Sequence, residues 1–290
     1  MKRISYLRHL VCLFLGIFLF ACDQEDLKVD KPSYLYIDTT SFETIRGQGT
    51  AHQRFTDVWV NVNGETKGVF ELPAKVPVLS DRPDMEIRLT PGIIENGISN
   101  TRAPYAFAEP YVVNRKTNPG GVDTISVQSR YSERTRFIWS EDFERLGTAS
   151  DLYASGKNNA ILRKTSNQEE VFEGDYSYTA TLNDEQNFFE VETQQAFLLQ
   201  QGRAIFLELH YKSDITIAVG YISFDPIGQV LQYPIVYLNP REEWGKVYIN
   251  FGYDVNQELI GTRFDVFFGA INDSGEERKV FLDNIKLLSL

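Results

Sequence analysis

Cysteine is almost absent from this sequence. The 290 residues contain two, Cys12 and Cys22, and none follows Cys22. The long region after residue 22 therefore has no thiol that could form a disulfide, ligate a metal or act as a nucleophile. A chain of this length can bury a core large enough to fold without disulfides.

Histidine and the sequence motifs of catalysis are also scarce. Of the three histidines, only His52 and His210 follow Cys22, and they do not have the spacing of a metal site. The chain has no G-x-S-x-G motif, and Gly120-Gly121 lacks the lysine and helix of a phosphate-binding loop. His210 alternates with apolar neighbours, which predicts an ordinary surface histidine on the polar face of a strand. The sequence therefore predicts a protein that is not an enzyme.

Basic residues are fewer than acidic ones. The chain has 29 Lys and Arg residues against 40 Asp and Glu residues, and its formal net charge is −11. A nucleic-acid partner is not expected, because no basic stripe is present to replace the counterions of a phosphate backbone. The same acidity disfavours docking onto anionic lipid headgroups.

Long hydrophobic runs are missing as well. The apolar run over residues 10–20 is about half the roughly 20 residues that a transmembrane helix needs. Three basic residues precede it, and a basic start followed by a short apolar run is typical of a secretory signal. We therefore expect residues 1–21 to be a signal peptide.

The four residues LFAC at 19–22 resemble the lipobox of bacterial lipoproteins. This resemblance implies that Cys22 is acylated, for example with palmitate, and holds the protein to a membrane through its lipid. The alternatives are an ordinary signal peptide with a chance cysteine and a plain apolar segment. The acidic tether over residues 22–32 resembles the export signal of surface lipoproteins of Bacteroidota, which implies the outer face of the outer membrane. In other bacteria an aspartate after the cysteine signals retention at the inner membrane, so the choice of membrane stays open.

Alternation of apolar and polar residues with period two dominates the rest of the chain. It is clear over residues 205–212 and 215–221 and predicts half-buried antiparallel strands. DVWVNV and ETKGVFEL flank Asn63-Gly64, which is the strongest short-range signal for a β-hairpin. Helical periodicity is nearly absent, so the expected fold class is all-β.

A polar, charged segment near residues 128–136 separates two apolar patterns. We therefore expect two tandem β-sandwich domains, a small one over residues 33–127 and a jelly roll over residues 137–290, joined by a linker over residues 128–136. Residues 91–111 mix Gly, Pro, Asn and aromatic residues and are expected to form a long ordered loop. Such a loop is either functional or simply packed over the end of the sandwich.

Three segments of the larger domain resemble jelly-roll, galactose-binding-like carbohydrate-binding modules. They are FIWSEDFE (137–144), FEGDYSYTATL (172–182) and VFLDNIKLL (280–288). The resemblance implies that this domain binds a glycan. In the smaller domain, residues 58–79 resemble a short Ig-like or PEGA-type module, which implies a β-sandwich and no particular function.

The same resemblance implies one possible cofactor, a structural calcium held by acidic residues of the opening segment and of the last strand. Carboxylate oxygens are suitable ligands for calcium. The candidate ligands are Glu141, Asp142, Glu144 and Asp283. The alternative is that Asp283 hydrogen-bonds a neighbouring loop with no metal.

Aromatic side chains are the expected contacts of a glycan, because the C–H faces of sugars stack on aromatic rings. The candidates are Trp139, Tyr221, Tyr233 and Trp244. For the two tryptophans, packing in the core is the alternative.

These observations favour a lipid-anchored envelope protein whose jelly roll binds a glycan or another surface polymer without catalysis. The alternative function is a structural or accessory subunit of an outer-membrane assembly for secretion, gliding or nutrient uptake. A third hypothesis is a polysaccharide-degrading enzyme on a jelly-roll scaffold.

Overall fold

The computed structural model describes residues 31–290, and this part of the chain is built almost entirely from β-strands. The prediction of an all-β fold class is confirmed. Residues 1–30, with the predicted signal peptide, Cys22 and most of the predicted tether, lie outside the described residues. Within residues 31–290, no helix has both the length and the apolar character needed to cross a membrane.

Eight strands form the first sandwich. Their bounds are β1 (Ser33–Glu43), β2 (Asp57–Val62), β3 (Glu65–Glu71), β4 (Ala74–Val78), β5 (Asp84–Ile94), β6 (Arg102–Pro104), β7 (Tyr111–Lys116) and β8 (Val122–Arg130). One sheet has the order β4-β1-β8, and the other has the order β3-β2-β5-β6 with β7 also paired to β5. Alternate residues such as Leu35, Val60 and Ile87 form the core between them. Asn63 and Gly64 both have positive φ, 53° and 85°, so the predicted hairpin between β2 and β3 is confirmed.

Twelve strands and one short helix form the second sandwich. Their bounds are β9 (Arg136–Glu141), β10 (Leu152–Ala154), β11 (Ile161–Thr165), β12 (Ser177–Leu182), β13 (Phe188–Thr193), β14 (Phe197–Leu198), β15 (Ile205–Ser213), β16 (Ile217–Phe224), β17 (Val230–Leu238), β18 (Arg241–Asn250), α1 (Gly252–Val255), β19 (Arg263–Ile271) and β20 (Arg278–Ser289). Every strand pairing in this domain is antiparallel. The predicted jelly roll is confirmed.

The two sheets of the jelly roll have different surroundings. The covered sheet has the order β11-β12-β20-β15-β18, with β9 also paired to β20, and the first sandwich packs on its outer face. The open sheet has the order β10-β13-β19-β16-β17, with β14 also paired to β19. Side chains such as Leu207, Phe268 and Ile285 fill the core between the two sheets.

The connection between the sandwiches is short. β8 ends at Arg130 and β9 begins at Arg136, so the predicted linker over residues 128–136 includes the end of β8 and the first residue of β9. Tyr131, directly after β8, is 3% exposed and packs between the two domains.

The interface between the domains has an apolar part. Its buried members are Phe42, Ile93, Tyr105, Phe107, Ala108, Tyr131, Phe206, Tyr248 and Leu288. The segment over residues 91–111 supplies Ile93, Tyr105 and Phe107. Its first residues belong to β5 and residues 102–104 form β6, so the predicted long loop is partly strand. Because these three side chains are buried in the interface, the segment packs against the neighbouring domain.

The interface also contains a buried polar network. Lys246 and Glu208 form an ion pair of 2.7 Å, and both side chains are 0% exposed. The hydroxyl of Tyr105 donates a hydrogen bond to Glu208. Nζ of Lys286 donates to the hydroxyl of Tyr131 at 3.2 Å, and burial lowers the pKa of this lysine.

His210 lies in the same interface and is 0% exposed, so the prediction of a surface histidine is wrong. Its Nε2 is 2.9 Å from Nδ1 of His52, and its ring stacks on Phe172 with centroids 4.0 Å apart. Burial and the charge of Lys246 lower the pKa of His210, which favours the neutral ring. Alternation places this side chain opposite the jelly-roll core, but the first sandwich covers that face.

Candidate binding groove

The outer face of the open sheet carries a groove. Two adjoining cavities of about 430 and 580 Å³ form it, and Glu190 and Gln232 line both. All residues that line the two cavities belong to the jelly roll. Because the first sandwich packs on the covered sheet, the groove is open to solvent.

Small residues in the middle of the open sheet form the floor of the groove. Gly269 of β19 is paired with Glu190 of β13 on one side and with Ala218 of β16 on the other. Gly220 of β16 lines neither cavity, but it lies so close to β17 that a Cβ atom there would overlap the backbone oxygen of Tyr233. Because these positions have little or no side chain, larger side chains around them stand above the sheet.

Aromatic rings border the first cavity. Phe188, Phe267 and Tyr237 come from β13, β19 and β17, and Pro234 lies beside them. Tyr237 is 66% exposed, whereas Phe267 is 3% exposed and packs into the floor. Tyr237 is therefore the ring of this cavity that a ligand reaches most easily.

Hydrogen-bonding side chains lie where the two cavities meet. Nε2 of Gln232 donates to Oε2 of Glu190 at 2.8 Å, which fixes both side chains. The second cavity adds Tyr153, Lys157 and Glu192. Carboxylates accept hydrogen bonds, whereas the lysine and the tyrosine hydroxyl donate them, so the groove offers both kinds of group.

Burial and the nearby carboxylate of Glu192 raise the pKa values of two side chains on this face. Burial raises the pKa of Tyr153 to about 12, and a hydrogen bond to Glu192 and the charge of Glu192 act in the same direction. Burial also raises the pKa of Asp265 to about 6, with a smaller contribution from the charge of Glu192. Tyr153 therefore stays protonated at neutral pH.

None of the four aromatic residues predicted to contact a ligand lines either cavity of this groove. Trp139 is 6% exposed and lies in the core, where it stacks on Phe197 and donates to Asp151 at 3.2 Å. Tyr221 is 4% exposed, and its hydroxyl donates to Glu258 at 3.1 Å. Both rings are therefore part of the jelly-roll core.

The other two predicted aromatic residues lie on different faces. Tyr233 is 40% exposed, but it shares the inward face of the open sheet with Tyr221, 5.4 Å away between ring centroids. Trp244 lies on the covered sheet and packs against Phe172 and Phe281 at 5.5 and 6.3 Å. Its indole N–H is buried without a hydrogen-bond partner among the described residues.

The aromatic rings that line the groove are not among the candidates that the sequence predicted. Phe189 and Val191 of β13 are core residues, so Phe188 and Glu190 belong to the opposite face. This period-two pattern was readable in the sequence FFEVET. The pattern predicts that an aromatic ring and a carboxylate, Phe188 and Glu190, lie together on the outer face, and both line the groove.

The carboxylates predicted to hold calcium are hydrogen-bonded to the protein itself. Glu141 accepts from the backbone N–H of Phe143 at 2.8 Å, and Asp142 accepts from that of Glu144 at 3.1 Å. Glu144 accepts in turn from the backbone N–H of Asp175 at 3.0 Å. These three side chains organise the loop that follows β9.

Asp283 accepts a hydrogen bond from the hydroxyl of Ser177 at 2.6 Å and another from the backbone N–H of Asn284 at 2.7 Å. Burial raises its pKa to about 7. Residues 31–290 hold no group of three or more His, Cys, Asp or Glu side chains arranged for a metal. Calcium binding stays a prediction from the sequence resemblance.

Comparison with known proteins gives structural neighbours but no family. No family model matches the chain. A search of curated proteins also finds no match. TmCBM61 in complex with β-1,4-galactotriose is similar at 18% identity and a TM-score of 0.37, over 52% of this chain and 97% of that one. The CBM22-1 xylan-binding domain from Paenibacillus barcinonensis Xyn10C is similar at 12% identity and a TM-score of 0.40, over 55% and 97%. At these values the likeness carries no argument about function.

Proposed function

We propose that this protein binds a glycan through the groove of the open sheet. The observation that supports this most is the placement of Tyr237 and Phe188 beside the hydrogen-bonded pair of Glu190 and Gln232 in one solvent-open cavity. Sugar rings have apolar C–H faces that stack on aromatic rings, and hydroxyls that need hydrogen-bond partners. The groove offers both within reach of one ligand.

The size of the groove favours a chain of sugars over a single one. Each cavity has a volume within the usual range of small-ligand sites, roughly 300–1,000 Å³. Because Glu190 and Gln232 line both, a ligand that fills the two cavities passes directly over this pair. The groove therefore suits an oligosaccharide or a segment of a polysaccharide.

Replacing Tyr237 with alanine is expected to weaken glycan binding by about tenfold, which corresponds to roughly 1.4 kcal/mol of lost ring contact. Tyr237 is exposed, so the fold is expected to stay intact. Affinity electrophoresis in gels that contain soluble polysaccharides measures the change.

The matched control is Tyr253→Ala, which removes a tyrosine that is 72% exposed on α1 and does not line the groove. Its mobility in the same gels should equal that of the wild type. Equal retardation of the Tyr237 and Tyr253 variants by a polysaccharide that retards the wild type would place the binding site elsewhere.

The proposed activity is recognition without catalysis. Glu190 and Glu192 are the acidic residues of the groove, and Gln232 already holds Glu190 by a hydrogen bond. Incubation of the protein with a glycan that it binds should therefore release no reducing ends. Release of reducing ends that the variant Glu190→Gln abolishes would instead support the hypothesis of a polysaccharide-degrading enzyme.

Attachment to the cell envelope by a lipid on Cys22 is part of the same proposal, with the outer membrane as the expected location. In the variant Cys22→Ala, incorporation of labelled palmitate is expected to be lost, because no other cysteine follows in the chain. Cys12→Ala is the control and should keep the label. Labelling that persists in Cys22→Ala would contradict the anchor. The alternative function, an accessory subunit of an outer-membrane assembly, stays a prediction.

A further inference from the structure

A separate apolar cavity of about 540 Å³ lies at an edge of the jelly roll and shares no lining residue with the groove. β9 of the covered sheet and β14 of the open sheet border it, and the loop over residues 259–262 closes one side. Ile138, Leu199, Val255 and Phe264 are among its apolar walls. The cavity therefore reaches inward from the surface between the two sheets.

Three large aliphatic side chains stand exposed around the opening of this cavity. Leu198 is 63% exposed, Leu259 is 52% exposed and Ile260 is 86% exposed. Single exposed aliphatic residues are normal, but a group of them around one apolar cavity is typical of a binding site. The apolar lining selects for an apolar part of a ligand.

Two polar groups at the cavity have no partner among residues 31–290. Thr262 is 2% exposed, and its hydroxyl is buried without a hydrogen bond. Arg136 is exposed at the rim and belongs to none of the ion pairs of the described residues. A buried hydroxyl without a partner is uncommon in proteins and needs a water or a ligand to satisfy it. An unpaired guanidinium is a ready partner for a carboxylate.

We propose that this cavity binds a small amphipathic carboxylic acid with an aliphatic chain. The aliphatic chain of the ligand occupies the apolar cavity, where Leu198 and Ile260 cover it. One oxygen of the carboxylate pairs with Arg136 at the rim, and the other accepts a hydrogen bond from the hydroxyl of Thr262. This site is independent of the proposed glycan groove.

Calorimetric titration of the purified protein with octanoate, 1-octanol and acetate tests the proposal. Octanoate is expected to bind saturably, 1-octanol about tenfold more weakly because it lacks the charge-assisted bond, and acetate not measurably because it lacks the chain. Absence of saturable octanoate binding, or equal affinity for octanoate and 1-octanol, would overturn the proposal.

Two variants and one control variant locate the site. Arg136→Gln is expected to weaken octanoate binding by about tenfold and to leave 1-octanol binding unchanged. Arg134→Gln removes an exposed arginine two residues earlier that does not line the cavity, and it should bind octanoate like the wild type. Thr262→Val keeps the side-chain volume and is expected to weaken octanoate binding without loss of stability, since the hydroxyl has no partner to lose. Wild-type affinity of Arg136→Gln for octanoate would contradict the assignment.

Discussion

Replacing Lys246 with alanine is expected to lower the free energy of unfolding by about 3–5 kcal/mol. Lys246 is the only cation within ion-pair distance of Glu208 in residues 31–290, and neither side chain reaches solvent. Its removal leaves the Glu208 carboxylate buried, with the hydroxyls of Tyr105 and Tyr131 as hydrogen-bond partners and no cation of the described residues within ion-pair distance. Unfolding in urea, followed by tryptophan fluorescence and circular dichroism, measures the loss.

The matched control is a lysine in an exposed ion pair. Lys67 pairs with Glu65 at 2.5 Å, but the Glu65 side chain is 78% exposed. Lys67→Ala is therefore expected to cost less than about 1 kcal/mol. The double variant Lys246→Met with Glu208→Leu should recover part of the stability, because both members of the buried ion pair are removed together. Equal, small losses for Lys246→Ala and Lys67→Ala would show that the two sandwiches do not pack in solution as described.

Replacing Gly220 with alanine is expected to lower the stability by about 1–3 kcal/mol and also to weaken glycan binding. A methyl group there would overlap the backbone of Tyr233 and come within 2.8 Å of Cα of Pro234. β17 must then move away from β16, and β17 carries Gln232, Pro234 and Tyr237 of the groove. Urea unfolding and affinity electrophoresis measure the two effects.

Gly156→Ala is the stability control for this substitution. A Cβ atom at Gly156 meets nothing within 4 Å, and its φ does not require glycine. Its unfolding curve should match the wild type within about 0.5 kcal/mol. A Gly220→Ala variant that is as stable as Gly156→Ala and binds glycan normally would contradict the close approach of β16 and β17.

The alternation of residue types was enough to predict the strands and the two sandwiches. It could not predict what lies on the outer face of a sheet. His210 is on the face opposite the jelly-roll core, as its pattern indicated, yet it is buried because the first sandwich covers that face. Contacts between domains depend on which surfaces meet, and a local pattern carries no such information.

The groove was harder to predict because β17 contains an irregularity. Tyr233 and Tyr237 are four residues apart and would share one face of a regular strand. The pairing with β16 shifts between Val219 and Gly220, which leaves Ile235 as an extra residue. The shift turns Tyr237 to the outer face while Tyr233 stays on the inner one. A single extra residue therefore determines which tyrosine lies on the outer face of the open sheet.

Screening the purified, fluorescently labelled protein on a glycan array tests the proposed function most directly. The expected result is saturable binding to at least one oligosaccharide long enough to fill both cavities, reduced about tenfold by Tyr237→Ala. Absence of binding to any glycan on the array would contradict glycan recognition by this groove.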